Sequence, residues 1–334
     1  MIGFDEELMM KKADMMYALV GEIEHIADMV CEKGFKNILL TSSGGSLASL
    51  DQYKYMIRQL SDIPVISEVS AELVLIGNCE VGSDTLAVLQ SKSGDTKETL
   101  TAAEWLRERN VITVSFCGAK DSPLSRLTTY SVCYGEADPH DILPIYLFGR
   151  VLYNRGHFPK YIRFREQMSG FGKLICDVHK QCDSQALEYA EMFKDRDEPY
   201  QIWISSGNTW GYTYDMAMCI LEECQWLRTK SVTSPEFFHG TIELVEKGLM
   251  VCVGMGEGPT RKLDERVVNF CRPHTDKLFV FDTADYAMEG FDSEFRWLLS
   301  PLVLLMIYYR ISIDLADVRK HTQDIRRYYR RVEY

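Results

Sequence analysis

Glu223 and His239 stand sixteen residues apart, and both are side-chain types that move protons. Glu223 lies in YTYDMAMCILEECQWL, which reads as a helix. Cys219 and Ile220 fall one turn before it and Trp226 and Leu227 one turn after, and all four are apolar. A carboxylate among such neighbours is shielded from water, and desolvation raises its pKa towards a general-base range. His239 sits in SPEFFHGTIELVEKG, between Phe238 and Gly240 and three residues after Glu236. Pattern alone also accommodates a plainer assignment. Glu222 or Glu223 then marks the solvated edge of the helix, Glu236 is a surface or capping carboxylate, and His239 is a packed turn residue.

Hydroxyls and glycines supply a second kind of site. The segment SKSGDTKET, 91–99, follows an apolar strand and opens a helix. Asp95 and Glu98 have capping-box spacing, which puts the helix start near Asp95 or Thr96. A helix start offers free N–H groups and partial positive charge. Ser91, Ser93 and Thr96 add donors there, and Gly94 lets the backbone come close. Such a turn holds an anion without an arginine. SSGGS, 42–46, ends a neighbouring predicted strand, and ligands of parallel sheets gather beyond the carboxyl ends of the strands. One Ser-Gly turn by itself reads as a helix cap, whereas two at one edge favour a phosphate site. There is no G-K-[ST] and hence no Walker loop. GMGEG, 254–258, lacks dinucleotide spacing and places Glu257 where a pyrophosphate would lie.

The elements that must carry these residues alternate. Residues 5–33 read as one long amphipathic helix ending at Gly34. Short buried strands then lead into Ser-Gly turns and helices at KNILLTSSGG and at TLAVLQSKSGDTKETLTAAEWLRER, with a further strand at VITVSFCG. Residues 140–195 turn helical, and strand–turn–helix units resume at QIWISSGNTW. Ser42-Ser43-Gly44 and Ser205-Ser206-Gly207 are 163 residues apart, and the same offset lays LAVLQSKSGDT on LMVCVGMGEGP. Two matches at one offset favour a duplicated α/β domain with a parallel sheet in each copy. The first copy keeps the hydroxyl-rich turn and the second does not, so the halves are expected to differ in role.

Composition sets the limits. The 334 residues suit two domains, and an apolar content of 46% with 26% charged residues is that of an ordinary globular protein. A net charge of -12 argues against an extended nucleic-acid contact. Ten cysteines are scattered singly with no C-x-x-C, which points to a reducing, cytoplasmic setting and to no zinc or dithiol site. MIGFDEELMMKKAD is too polar for a signal peptide, and the apolar run 297–309 is too short to span a bilayer.

Together, the two α/β halves, SSGGS, SKSGDTKET and a helical Glu sixteen residues before the His of EFFHG resemble the double sugar-isomerase (SIS) domain family. Within it the chain is most similar to fructosamine 6-phosphate deglycases, through the tail RRYYRRVEY, 326–334, and the Glu-x-x-Trp of Glu223 to Trp226. It is related more distantly to the isomerase half of glucosamine-6-phosphate synthase. The resemblance implies two flavodoxin-like SIS domains: an N-terminal helix over 1–34, a phosphate-binding domain over 35–160, a helical linker over 161–195, and a second domain with the tail over 196–334. It implies that Gly45, Ser46, Ser91, Lys92, Ser93 and Thr96 hold a sugar phosphate, and that Glu223 shuttles a proton between C1 and C2. His239 would assist ring opening, reaching the site from a neighbouring subunit of a homodimer or larger homo-oligomer. Arg331 matches a synthase lysine and cannot form a Schiff base. Pro235 and Thr241 depart from the family's usual Gly-Glu-Phe and His-Gly-Pro. The implied reaction is cleavage of a phosphorylated fructosamine to glucose 6-phosphate and an amine, with no cofactor or metal, no nucleic acid and no membrane. A deglycase of 2-amino sugars giving fructose 6-phosphate, an aldose–ketose isomerase and a non-catalytic sugar-phosphate sensor are the alternatives. Amide transfer from glutamine is disfavoured, since no glutaminase domain precedes these halves.

Overall fold

The computed structural model describes residues 1–194 and 200–333. Residues 7–172 form one compact unit, and residues 1–6 with those from 173 onward form another. The domain boundary expected at 195/196 lies outside the described residues.

The first unit holds α1 (Glu6–Tyr17), α2 (Val20–Lys33), β1 (Asn37–Ser42), α3 (Gly44–Leu60), β2 (Val65–Val69) and α4 (Ser70–Ile76). It continues with β3 (Thr85–Ser91), α5 (Lys97–Glu108), β4 (Ile112–Cys117), α6 (Pro123–Leu127), β5 (Tyr130–Cys133), α7 (Pro144–Asn154) and α8 (Tyr161–Gln167). Its five strands are parallel in the order β2-β1-β3-β4-β5. Every residue of β1 and β3 is buried, as their unbroken apolar runs require of central strands covered on both faces. The single helix expected over 5–33 is in fact two. At Leu19 the N–H bonds to the Met16 carbonyl, a three-residue step that interrupts the ladder two residues before Gly21. The apolar spacing runs through the break unchanged, so the sequence pattern does not register it.

The second unit holds α9 (Phe171–Glu191), β6 (Gln201–Ser205), α10 (Trp210–Asp215), β7 (Thr229–Thr233) and α11 (Ser234–Phe237), then β8 (Met250–Met255), α12 (Arg261–Cys271), β9 (Lys277–Asp282) and α13 (Arg296–Val318). Its four parallel strands run β7-β6-β8-β9, the order of β2-β1-β3-β4 in the first unit. Gly44 and Gly207, equivalent by the 163-residue offset, both take left-handed backbone with φ of 57° and 60°. The duplication expected from two short matches therefore extends to topology and turn conformation. The apolar run 297–309 is the middle of α13, a 23-residue helix buried in the second unit's core. Arg310 on that helix is fully buried and paired with Asp314 and Asp183.

Candidate active site

In the first unit the chain leaves β1 towards β2 and β3 towards β4, so strand order reverses between these adjacent strands and a crevice opens beyond their carboxyl ends. Both Ser-Gly turns stand at that edge. Gly44 opens α3, and Gly45 and Ser46 lie half-buried in its first turn. Ser91 is buried at the end of β3, where its hydroxyl pairs with that of Thr96 at 3.1 Å and accepts the Gly94 N–H at 3.0 Å. Lys92 and Ser93 are exposed in the turn, and Thr96 is the N-cap of α5. The helix begins where the spacing predicted, but no side chain caps it: the Thr96 hydroxyl is turned to Ser91. Gly94 has φ of 70°, and a Cβ there would stand 2.4 Å from Ser122.

A neighbouring cluster escaped the sequence analysis. Gln90, the residue before Ser91, donates to Asp141 Oδ1 at 2.8 Å. His140 lies 3.7 Å from Asp141 and 3.9 Å from Asp138, stacked on the Tyr134 ring. Burial works to lower the His140 pKa, but the two carboxylates outweigh it and raise the imidazole above its ordinary value; the Lys92 charge opposes them. A histidine flanked by acids in DPHD was the available signal.

In the second unit, α10 gives way over Met216–Glu222 to a wider π turn, and the helix ends one residue before Glu223. The change of period moves Glu223 off the apolar face that regular spacing assigned to it. Of its four expected neighbours only Leu227 is buried, and Cys219, Ile220 and Trp226 are half-exposed. The Glu223 side chain is 30% exposed and receives Arg326 Nε at 2.8 Å. The desolvation expected there is thus partial, and a guanidinium meets the carboxylate. Glu223 lines a cleft of about 600 Å³ with Glu222, Trp226, Arg228, Thr229 and tail residues Arg326 to Tyr329. Arg331, further along the tail, is exposed, and its N–H bonds to the Tyr328 carbonyl.

His239 is exposed in the turn after α11, its N–H on the Glu236 carbonyl, and it is not among the residues that line the Glu223 cleft. Pro235 occupies the first turn of α11, where no N–H donor is needed, which accounts for that departure from the family pattern. Ser234, the first residue of α11, donates its hydroxyl to the buried Asp264 of α12. Burial pushes the Asp264 pKa up to about 7, against the hydroxyls of Ser234 and Ser206 and the charge of Arg261. Nothing in the spacing of residues 234 and 264 marks this contact. The turn equivalent to the phosphate turn is occupied from within: Glu257 makes a two-pronged pair with Arg296, both contacts at 2.8 Å.

Comparison with known proteins bears on the first unit and on the chain as a whole. Residues 33–148 match the family model of the SIS domain. The first unit carries an SIS domain. Fructosamine deglycase FrlB of Bacillus subtilis is 28% identical over 314 residues, covering 90% of this chain and 94% of that protein. The fructoselysine 6-phosphate deglycase of Escherichia coli is 21% identical, covering 92% and 89%. A solved structure described as a phosphosugar isomerase of Bacillus subtilis superposes with a TM-score of 0.85 at 26% identity, over 90% of this chain and 93% of that one. The SIS match spans the unit that carries the hydroxyl-rich turns, and the full-length relatives extend the likeness through the half that carries Glu223.

Proposed function

We propose that this protein, with an SIS domain in its first unit, is a fructosamine 6-phosphate deglycase. The observation that carries the reading is the pairing of features across the duplicated chain. One unit keeps a hydroxyl-lined turn at its strand switch, with Lys92 and Ser93 exposed, and the other presents a partly exposed carboxylate, Glu223, in a cleft. The deglycases similar over most of the chain support it. In this reading the sugar phosphate is held by Ser46, Ser91, Ser93 and Thr96 with Gly45 and Lys92. Glu223 takes a proton from C1 of the open-chain ketosamine, giving an enaminol, and returns it to C2. The imine formed at C1 adds water and separates into glucose 6-phosphate and the free amine. His239, exposed on its turn, assists ring opening at a neighbouring subunit's site, so the active species is a homodimer or larger assembly. A cytoplasmic location belongs to the same reading, since the ten cysteines are all free thiols.

The test is incubation with 6-phosphorylated fructosamines of several amines, assaying glucose 6-phosphate and fructose 6-phosphate separately. Glucose 6-phosphate with stoichiometric amine is expected. Fructose 6-phosphate from a 2-amino aldose instead would transfer the assignment to the alternative deglycase, and release of neither would return the isomerase and sensor readings.

A further inference from the structure

The cleft around Glu223 carries information about the amine. Three guanidinium groups line it, from Arg228, Arg326 and Arg327, against two carboxylates, from Glu222 and Glu223. Both carboxylates are engaged: Glu222 accepts the Thr229 hydroxyl at 2.6 Å and Glu223 is paired with Arg326. Arg327 is different. Its guanidinium lies 4.1 Å over the Trp226 ring, is exposed to the cleft, and makes no ion pair among the described residues. Trp226 is held for this stacking by left-handed backbone, φ 57°, and by an edge contact with His321 at 4.5 Å. Non-glycine residues seldom adopt that conformation, so the ring is placed by its surroundings and not by local preference. A positive field is felt behind the ring: burial, then Arg319 and Arg327, lower the His321 pKa. A flat guanidinium fixed on an aromatic face keeps its N–H edge available for two-pronged binding of a carboxylate. A terminal ammonium would meet only like charge at that edge.

We propose that the amine released from this cleft is an acidic amino acid, whose carboxylate docks on Arg327 with Arg228 beside it. The inference rests on the deglycase reading for its chemistry and adds the substrate's charge class. An amino acid joined through its α-nitrogen and carrying a second carboxylate fits the cationic excess, and one joined through a lysine side chain does not. Trp226 then serves as a positioning residue for Arg327.

The experiment compares 6-phosphorylated fructosamines of aspartate, glycine and the lysine side chain by kcat/KM, in the native chain and in Arg327→Gln. The aspartate adduct is expected to lead the lysine adduct by at least about tenfold, the worth of a single charged contact. In Arg327→Gln the advantage should collapse through KM, with kcat for the aspartate adduct changed much less. A lysine adduct processed as well as the aspartate adduct, or a ranking untouched by the substitution, overturns the proposal while leaving the deglycase reading intact. If no adduct is turned over, the deglycase reading falls, and calorimetric binding of the same three compounds still decides the charge class. Tighter binding of the aspartate adduct supports it, and equal or weaker binding overturns it.

Discussion

At the residue scale the candidate site turns on which charges meet. Glu223 was expected to owe any reactivity to burial, but it owes its setting to Arg326 and an open cleft. Replacing Glu223 with Gln keeps the size and a hydrogen-bond acceptor but removes the base. Turnover should fall at least a thousandfold while phosphate binding, proposed for the turns of the other unit, persists. Single-turnover kinetics with inorganic phosphate as competitor checks this, and near-native activity in the variant excludes Glu223 as the base. Asp264 makes a pH prediction. Its carboxyl is neutral-favouring in the folded protein, with a pKa pushed up to about 7 from 3.8. Its stabilising contribution is therefore whole below about pH 4 and is lost as pH rises through about 7. By linkage the full difference is on the order of 4 kcal/mol. Asp264→Asn should remove that slope, seen as urea-unfolding curves whose pH dependence between 4 and 7 is flatter than the native protein's. Parallel curves would show that Asp264 titrates as an ordinary carboxylate.

At the scale of elements, turns decide more than helices or strands. Gly94 shows why. Its left-handed φ and the 2.4 Å approach to Ser122 leave no place for a side chain, and its N–H is the donor that fixes the Ser91 hydroxyl. Gly94→Ala should cost about 2 kcal/mol of stability through backbone strain and the forced shift of Ser122. It should also raise KM for the sugar phosphate by disturbing Ser91 and Thr96. Thermal unfolding and steady-state kinetics check the two effects separately, and a native KM with a lowered Tm would detach the turn from phosphate binding. The turn was legible in the sequence because strand, glycine and hydroxyl signals coincide within nine residues. The π turn ahead of Glu223 was not. It breaks the 3.6-residue period on which the apolar-face argument rested.

At the scale of the whole molecule, the proposal that the site is divided between subunits makes a distinctive prediction. Glu223→Gln and His239→Ala should each be nearly inactive. Mixed after unfolding and refolding together, they should recover about a quarter of native activity, because half the dimers are hybrids with one intact site apiece. Recovery absent in the mixture would mean that both residues act within one chain. Duplication leaves two unlike turns: the first copy's pairs Ser91 with Thr96, and the second fills its own with the Glu257–Arg296 pair. The α/β class, the duplicated halves and the hydroxyl turns were determined by the sequence itself, because each rests on periodicity or on spacing within a short segment; the roles proposed for Glu223 and His239 rest on the family resemblance. Only the tertiary structure decided that Arg326 meets Glu223, that Asp264 holds Ser234 and that Asp141 holds Gln90. Those contacts join residues 30 to 103 positions apart. Local pattern carries no information about such pairs, and chain topology alone brings them within reach of one another.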